Sequence, residues 1–478
     1  MGQEKSIYQK IIGATALFGG VQVINMLCSL MRNKVIAVLL GAEGVGVIGL
    51  FNGAIEMVSS LTGMGLRQSS VRDVSASKTA EAFKRIVAIV RKLSLLVGLL
   101  GSMVFIGAAP LLSRFTFGSE EYLWGFVILS ASLLFNALSS GEQAILQGSG
   151  RLKIFARSTV AGSVASLLVS IPLYYIWRMA GIVPSLLLAS FFTFLFNYIA
   201  SRKSKVQSQK ISAKEAIKEG TPMLKLGIYM TISGFMTTLL NYIFIAWLNR
   251  YSSTAEVGYY QAGFTLVTRY VGLIFAAMAT EYYPRLSSVQ NDNKAVSLQV
   301  SRQIESSLLM LLPIIALFLI FQEWIITLLY ASQFAVVTDY AGWAMPGVLF
   351  KAISWSLGFI LLAKGEGKLF LITELISDVT SLAINVFLYH YWGLEGLGLA
   401  YTINFAIYTT YMWIICKRRY GFAPEKALYL ILLITFVIIY LQAIVINGEI
   451  SKYIIPSLLA FVAILFSLIT LRKRLINK

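Results

Sequence analysis

The segment VGYYQAGFTLVTRYVGLIF, residues 257–275, indicates which solvent surrounds this chain. It is apolar and aromatic over a length that crosses the roughly 30 Å hydrocarbon core of a bilayer as one helix. Arg269 stands in its interior, where a charged group costs about 2.5–3.5 kcal/mol on insertion scales. We therefore expect Arg269 to face other polar groups or a wet cavity rather than lipid.

The composition of the whole chain agrees with a membrane protein. Of its 478 residues, 57% are hydrophobic and 13% are charged, about half the charged fraction of a soluble domain. Cys28 and Cys416 lie far apart in the sequence and His390 is the single histidine, so these residues form neither a disulfide framework nor a metal site. We expect an all-α polytopic membrane protein without a metal or cofactor.

Apolar segments long enough to span the membrane divide the chain into about fourteen transmembrane helices. The first two are separated only by a tight turn at 32–34. The predicted spans lie near 11–31, 35–66, 86–112, 122–147, 154–177, 181–200, 223–248, 256–283, 304–330, 337–363, 368–390, 394–416, 427–446 and 453–471.

The distribution of Lys and Arg predicts the orientation. With both termini in the cytoplasm, 32 of the 40 basic residues fall on the cytoplasmic side. Six fall in outside turns, namely Arg32, Lys34, Arg114, Arg178, Arg250 and Lys452. Arg269 and Lys351 remain inside predicted spans. Membrane topology thereby accounts for the net charge of +18, and we predict no nucleic-acid partner.

The two halves of the chain resemble each other on either side of a basic segment at 202–225. Three matches occur in order, at offsets of 212, 217 and 212 residues: 42–61 with 255–274, GSGRLKIF (148–155) with GEGKLFLI (365–372), and Gly181 with Gly393. Because each half has an even number of spans, both halves have the same orientation. Such parallel repeats occur in transporters whose site lies between the halves.

This repeat predicts the domain organisation. We expect two pseudo-symmetric six-helix lobes around a central lumen, followed by two further helices. The predicted boundaries are 1–200 for the N-terminal lobe, 201–222 for a basic cytoplasmic linker, 223–420 for the C-terminal lobe and 421–478 for an additional two-helix hairpin.

Five charged residues lie near the centres of predicted spans: Glu56, Arg269, Lys351, Glu374 and Asp378. Ionisable groups at this depth usually mark a transport pathway. Arg and Lys are the usual ligands of phosphate oxygens, so Arg269 and Lys351 suit an anionic substrate. Glu374 and Asp378 are four residues apart and therefore share a helix face. We expect the three carboxylates to bind glycan or to exchange a proton or sodium ion.

A structural role is the alternative for these charges. Arg269 with Glu56, and Lys351 with Asp378, could form interhelical ion pairs that fix the packing. In the repeat alignment Arg269 lies one position from the equivalent of Glu56, which points both side chains toward the cleft between the halves.

Several segments resemble the Wzx-type lipid-linked oligosaccharide flippases, which belong to the multidrug/oligosaccharidyl-lipid/polysaccharide exporter superfamily. The resemblance covers roughly residues 10–420 and is strongest over 255–420. Lys351 and Glu374 match family positions, whereas Arg269 does not obviously match one. The matching residues are LGAEGVGVIGL (40–50), VGYYQ (257–261), PRLS (284–287), Trp343, Gly347, Lys351, the Ala363-Lys364 pair and Glu374.

The resemblance implies a flippase that moves an undecaprenyl-diphosphate-linked glycan, such as an O-antigen unit, across the bacterial inner membrane by alternating access. It implies two lobes around a lumen lined by cations for the diphosphate and glycan. It also places the polysaccharide polymerase and chain-length machinery among the candidate partners. The extra pair of helices near 427–471 departs from the twelve spans that are typical of the closest relatives.

Two other functions are alternatives to the flippase. A cation-coupled multidrug exporter of the same superfamily would need an anionic lumen, which Arg269 and Lys351 disfavour. By resemblance, an O-antigen polymerase or ligase is expected to have a large periplasmic loop, whereas every predicted outside loop of this chain is short. We therefore expect a transporter rather than an enzyme, with no catalytic residues.

Overall fold

The computed structural model describes the backbone of residues 2–77, 79–204, 206, 208–448 and 453–476. Within these ranges, side chains are described except at 2–18, 224–230, 233, 270, 280, 475 and 476. Every regular element of the described residues is helical, which confirms the all-α class.

Fourteen α-helices follow one another along the described part of the chain. A π-helical segment, Thr265–Tyr270, joins α8 directly to α9. The helices are α1 (Gly2–Thr62), α2 (Leu66–Ala76), α3 (Ala80–Phe117), α4 (Leu123–Gly148), α5 (Leu152–Trp177), α6 (Ile182–Lys203), α7 (Ala213–Tyr251), α8 (Thr254–Phe264), α9 (Val271–Ser288), α10 (Asn293–Leu329), α11 (Val337–Ala363), α12 (Gly367–Tyr420), α13 (Lys426–Asn447) and α14 (Ile454–Ile476).

The number of membrane spans follows from the breaks within the longest helices. Ten helical stretches of the described residues are long and apolar enough to cross a membrane. Three exceed 40 residues, or roughly 60 Å at 1.5 Å per residue, twice the hydrocarbon thickness. Each contains a break: Gly41 in α1, Arg178–Gly181 between α5 and α6, and Gly393 in α12. With α7, these stretches provide the predicted total of about fourteen spans.

The position of the first break differs from the prediction. The chain stays helical through 32–34 and breaks at Gly41, whose φ of 70° and ψ of −165° are non-helical. The tight turn predicted at 32–34 is therefore wrong. Hydropathy alone placed that turn at the charges of Arg32 and Lys34, but helical hydrogen bonding continues to the next residue that adopts a positive φ easily. Arg32 and Lys34 thus lie in the last turns of the first span.

Side-chain caps set the start of several helices at the membrane edge. Ser212 and Glu215 form a capping box at the start of α7, because each side chain accepts a hydrogen bond from the other residue's backbone N–H. Thr79 caps α3, and Asp292 caps α10 through the backbone N–H groups of the next turn. These caps lie in the polar segments that separate the apolar spans.

Packing divides the chain into two compact units, Met1–Gly258 and Tyr259–Lys478. In the first unit, α7 packs on α1 and α3, while α4 packs on α3 and α6. In the second unit, α11 packs on α12 and α10, and the α13–α14 hairpin packs on α10. The lobe and linker boundaries at 200, 222 and 420 come from the sequence pattern and stay a prediction.

The backbone shows the first repeat match directly, within the first unit. A Cβ built on Gly46 would lie 2.0 Å from the Thr254 carbonyl oxygen. A Cβ built on Gly258 would lie 1.9 Å from the Ala42 carbonyl oxygen. The two contacts exchange equivalent residues at an offset of 212, as a two-fold symmetric contact requires. The predicted pairing of Gly46 with Gly258 therefore agrees with the structure.

The later repeat matches need a different register. Gly150 and Gly365 have the same φ, 72° and 75°, at an offset of 215 rather than 217. Arg178 and Gly393 also share a conformation at this offset, with φ of 49° and 52° and ψ of −127° and −134°. The predicted match of Gly181 with Gly393 is therefore wrong, because it aligned glycine with glycine where the backbone of the first half has Arg178.

Candidate functional site

Three charged residues of the second unit, Lys351, Glu374 and Asp378, come together where α11 meets the two arms of α12. Lys351 lies on α11, with its ammonium nitrogen 5.3 Å from the Phe405 ring centroid and 5.9 Å from the Tyr401 centroid. A cation over an aromatic face is stabilised by about 2 kcal/mol or more when water is excluded. The two rings therefore hold Lys351 in place while leaving its ammonium hydrogens available to acceptors.

The carboxylate of Glu374 is anchored by the opposite arm of α12. The Tyr408 hydroxyl donates to Glu374 Oε1, and the Tyr411 hydroxyl donates to the Thr373 carbonyl oxygen at 2.6 Å. These bonds connect residues more than thirty positions apart, so α12 folds back on itself at Gly393. The hairpin brings Glu374 close to residues that sequence spacing could not pair with it.

Lys351, Glu374 and Asp378 form one electrostatic cluster. Both Asp378 and Lys351 are close enough to Glu374 to act on its carboxyl group. The structure thus brings together three of the five predicted site residues. The specific Lys351–Asp378 ion pair that the sequence suggests stays a prediction.

Next to this cluster lie two buried polar atoms that make no hydrogen bond to the described residues. The Tyr401 hydroxyl and the side-chain carbonyl oxygen of Asn404 are buried and have no hydrogen-bond partner among the described residues. The Asn404 amide group lies 3.5 Å from the Ser377 hydroxyl. Buried polar groups normally find partners, and unpaired ones cost about 1–3 kcal/mol each. A ligand hydroxyl could bond either atom, whereas a phosphate oxygen could accept only from the Tyr401 hydroxyl.

Arg269 occupies an unusual backbone segment. It lies in the π-helical turn Thr265–Tyr270, and its side chain is exposed. π-Helical turns are rare and frequently occur at functional sites. Glu56 is also exposed and lies on α1 in the first unit, whereas Arg269 belongs to the second. The pairing of Arg269 with Glu56 stays a prediction.

The structure adds residues that the sequence analysis did not identify. Because the first break is at Gly41, Arg32 and Lys34 lie roughly 10–14 Å inside the first span. The Arg32 Nε atom is buried without a hydrogen-bond partner among the described residues. Because the sequence pattern placed Arg32 and Lys34 in an outside turn, they were not predicted as residues at membrane depth. The stripe Tyr401, Asn404, Phe405, Tyr408 and Tyr411 was missed as well, although its spacing of three and four residues predicts one polar and aromatic helix face.

The buried pair Arg91–Glu142 has a structural role. Arg91 donates to both Glu142 oxygens, at 2.7 and 3.1 Å, and to the Ser201 hydroxyl at 3.0 Å. Only 5% of the Glu142 side chain is exposed. With both carboxylate oxygens and the guanidinium engaged by protein groups, this pair connects α3, α4 and α6.

Comparison with known families identifies the chain. A family model described as "Polysaccharide biosynthesis protein" matches residues 35–339, more than half of the chain. The chain belongs to this polysaccharide biosynthesis family.

Curated relatives of this family member are named as flippases. It is 22% identical over 403 residues to the lipid III flippase of Escherichia coli, covering 79% of this chain and 91% of that protein. It is 23% identical over 384 residues to the probable low-salt glycan biosynthesis flippase Agl15 of Haloferax volcanii, covering 77% and 76%. These relatives confirm the recognised resemblance and the prediction of a transporter rather than an enzyme.

Solved structures show the same fold. The lipid II flippase MurJ, in an inward closed conformation, matches with a TM-score of 0.71 at 15% identity, covering 97% of this chain and all of that one. A multidrug resistance MATE family transporter of the MOP superfamily, in an outward-facing conformation, matches with a TM-score of 0.62 at 16% identity, covering 86% and 95%. At these identities the likeness concerns the fold alone.

Proposed function

We propose that this family member is a flippase that translocates an undecaprenyl-diphosphate-linked oligosaccharide from the cytoplasmic to the periplasmic leaflet of the bacterial inner membrane. The names of its relatives support a lipid-linked glycan as the substrate class. The excess of Lys and Arg in alternate loops supports cytoplasmic N- and C-termini. Alternating access of two lobes around a central lumen is the mechanism that parallel repeats of this kind commonly use.

The surroundings of Lys351 carry this proposal. A cation held by aromatic rings inside a membrane span, beside unpaired Tyr401 and Asn404 oxygens, suits a ligand that combines phosphate and sugar hydroxyls. At Lys351 itself, a lipophilic drug cation would meet a like charge. In this proposal Lys351 and Arg269 bind the diphosphate or the glycan, and Arg32 and Lys34 add positive charge in the first unit.

In this proposal the carboxylates couple transport to an ion gradient. Glu56, Glu374 and Asp378 exchange a proton or sodium ion with the lumen, or bind glycan hydroxyls, as the lobes alternate. Glu374 is placed for such exchange because its carboxylate accepts a hydrogen bond from the Tyr408 hydroxyl and lies close to Asp378. The polysaccharide polymerase and chain-length machinery are the proposed consumers of the translocated unit.

Transport by purified protein tests the proposal. Proteoliposomes containing the full chain should expose a fluorescent polyprenyl-diphosphate oligosaccharide to the outer leaflet. Lys351→Ala and Arg269→Ala should each slow this exposure at least about tenfold, because a charge-assisted contact contributes about 1.5–3 kcal/mol. Lys368→Ala is the matched control, since Lys368 is exposed at the start of α12, and it should transport normally.

The same assay separates the flippase from the multidrug exporter. Transport of lipophilic cations, without transport of the lipid-linked glycan, would establish the exporter and overturn the proposal. Normal glycan transport by both Lys351→Ala and Arg269→Ala would contradict the assignment of these two residues while leaving the flippase activity intact.

A further inference from the structure

A cavity of about 430 Å³ lies within the first unit, where α1 ends and α2 begins. Its size falls in the range of about 300–1,000 Å³ that is typical of small-ligand sites. Serine and threonine hydroxyls, the amides of Gln68 and Asn136 and the guanidinium of Arg67 supply the polar lining. None of the described residues that line it is acidic. The lining is therefore suited to an anion.

The N-terminus of α2 forms one wall of this cavity. Gly65 through Gln68 line it, and Gly65 provides no side-chain cap. The first N–H groups of a helix lack partners within the helix, and they carry the positive end of its dipole. Phosphates and other anions bind at such termini. Arg67, the second residue of α2, adds a full charge at the same place.

Two buried hydroxyls give an independent indication of a ligand. Ser70 and Ser94 both line the cavity, with only 0% and 1% of their surface exposed. Their Oγ atoms have no hydrogen-bond partner among the described residues. Serine in a helix usually bonds a carbonyl of the preceding turn, so two unpaired hydroxyls beside one cavity are unusual. Both Oγ atoms lie in the cavity wall with almost no accessible surface, so rotation of the side chains toward the cavity would let an anion with several oxygens accept a bond from each.

The backbone that leads into α2 is strained. Met64 has a φ of 46°, a left-handed conformation that is uncommon for a residue with a side chain, and Gly65 follows with 56°. Such strain persists where the surrounding structure requires it, and it clusters at ligand-binding sites. Here it separates the axis of α2 from that of α1 and opens the N-terminus of α2 to the cavity.

We propose that this cavity binds a phosphate or diphosphate group, with Arg67 as its charged ligand and Ser70 and Ser94 as hydroxyl donors. Arg67 lies in the basic segment whose charge predicts a cytoplasmic location. The identification of the group as the headgroup of the lipid-linked glycan rests on the proposed function. A soluble phosphate presents the same chemistry, so the test distinguishes the two sources.

Equilibrium binding to the full-length protein in nanodiscs of neutral phospholipid tests the site. Radiolabelled pyrophosphate should bind saturably, and binding should weaken about ten- to a hundredfold in Arg67→Gln because a charge-assisted contact is lost. The Ser70→Ala/Ser94→Ala double variant should weaken it less. Arg72→Gln is the control on the same helix, because Arg72 is exposed and pairs with Asp73 at 2.6 Å; it should bind like the wild type.

A second probe identifies the source of the phosphate. Farnesyl diphosphate that competes with pyrophosphate, and binds more tightly in an Arg67-dependent manner, would support a lipid headgroup. Equal or weaker competition would support a soluble phosphate. Should Arg67→Gln not fold, Arg67→Lys keeps the charge and should still weaken binding, since the bidentate geometry is lost.

The proposed phosphate site and the proposed flippase function can be refuted independently of each other. No saturable binding of either probe to the wild type, or equal binding to wild type and Arg67→Gln, would overturn the site even if the protein transports lipid-linked glycan. Conversely, Arg67-dependent pyrophosphate binding by a protein that transports no glycan would retain the site and overturn the flippase.

Discussion

The α5–α6 hairpin and the hairpin within α12 share one backbone but carry different side chains. Their turns have the same dihedral angles at an offset of 215 residues. At this offset Thr159 and Ser163 of the first hairpin correspond to Glu374 and Asp378 of the second. Asn136 on α4 corresponds to Lys351 on α11. The duplicated scaffold thus bears neutral polar groups in one copy and a charged cluster in the other.

Several polar groups of the neutral hairpin form hydrogen bonds between packed helices. Ser158 donates to the Asn197 carbonyl oxygen at 2.8 Å, Asn197 donates to the Ser139 hydroxyl at 3.0 Å, and Ser166 donates to the Ala189 carbonyl oxygen at 2.9 Å. Such bonds hold helices together where apolar contacts provide no preference over lipid. Unpaired buried oxygens occur in both hairpins, at Thr159 in the neutral one and at Tyr401 and Asn404 in the charged one. The hairpins therefore differ in their charges, and the ligand-binding role of the charged hairpin is part of the proposed function.

The largest effect is expected where a structural charge pair is broken in the first unit. Arg91→Ala leaves Glu142 buried without its partner, so unfolding should become easier by about 3–5 kcal/mol. Arg474→Ala breaks a similar pair with Glu305 in the second unit, but 48% of the Arg474 side chain is exposed, so water compensates and the loss should be smaller. Denaturant unfolding in detergent measures both. Equal losses would contradict this ranking of the two pairs.

A smaller, functional effect is expected in the charged hairpin. Glu374→Gln and Tyr408→Phe should each slow glycan transport about ten- to a hundredfold, because the first removes the charge of the hydrogen-bonded carboxylate and the second removes the donor, and a charge-assisted bond contributes about 1.5–3 kcal/mol. Thr159→Val, at the equivalent position of the neutral hairpin, should leave the rate within a factor of two or so of wild type, since no buried charge is involved. Transport that depends on Thr159 as strongly as on Glu374 would remove the distinction between the hairpins.

Exchange of the two turn residues should change the stability in opposite directions, by at most about 3 kcal/mol. Gly393→Ala places a side chain at a φ of 52° and should destabilise the protein by about 1–3 kcal/mol. Arg178→Gly should stabilise it by about 1 kcal/mol or less, because glycine relieves the same strain while the Arg178–Leu39 bond of 3.2 Å is lost. Thermal unfolding midpoints check both variants. Stabilisation by Gly393→Ala would show that the shared backbone angles are unstrained.

The smallest effect is expected at the exposed pair between α3 and the start of α7. The Arg85 guanidinium, 2.5 Å from Glu219, lowers the pKa of the Glu219 carboxyl. The pair therefore contributes stability above the usual Glu pKa of about 4.3, and this contribution disappears as pH falls through the lowered pKa. Glu219→Gln should lower the unfolding midpoint slightly at pH 7. A difference from wild type that persists at pH 3 would contradict an electrostatic origin.

The features predicted correctly from the sequence are those that depend only on the order of residues along the chain. The predicted spans at 122–147 and 337–363 agree with α4 and α11 to within a residue or two, because each is a continuous apolar helix of membrane length. Lys351 and Glu374 were identified for the same reason: their depth in a span can be counted. The break at Gly41 could not be located in this way, since the chain is helical on both sides of it and the charges of Arg32 and Lys34 marked an earlier boundary than Glu43 does.

The sequence by itself determined that the chain is helical, where it enters the membrane and which charges lie at membrane depth, because hydropathy and helix rise depend only on residues in order. Tertiary structure alone decided that Tyr408 reaches Glu374, that Phe405 and Tyr401 hold Lys351, and that Arg269 lies in a π-helical turn. The contacts of Glu374 and Lys351 depend on where α12 reverses and how its arms pack against α11. Such reversals arise from competition between backbone hydrogen bonds and distant contacts, which no local pattern records.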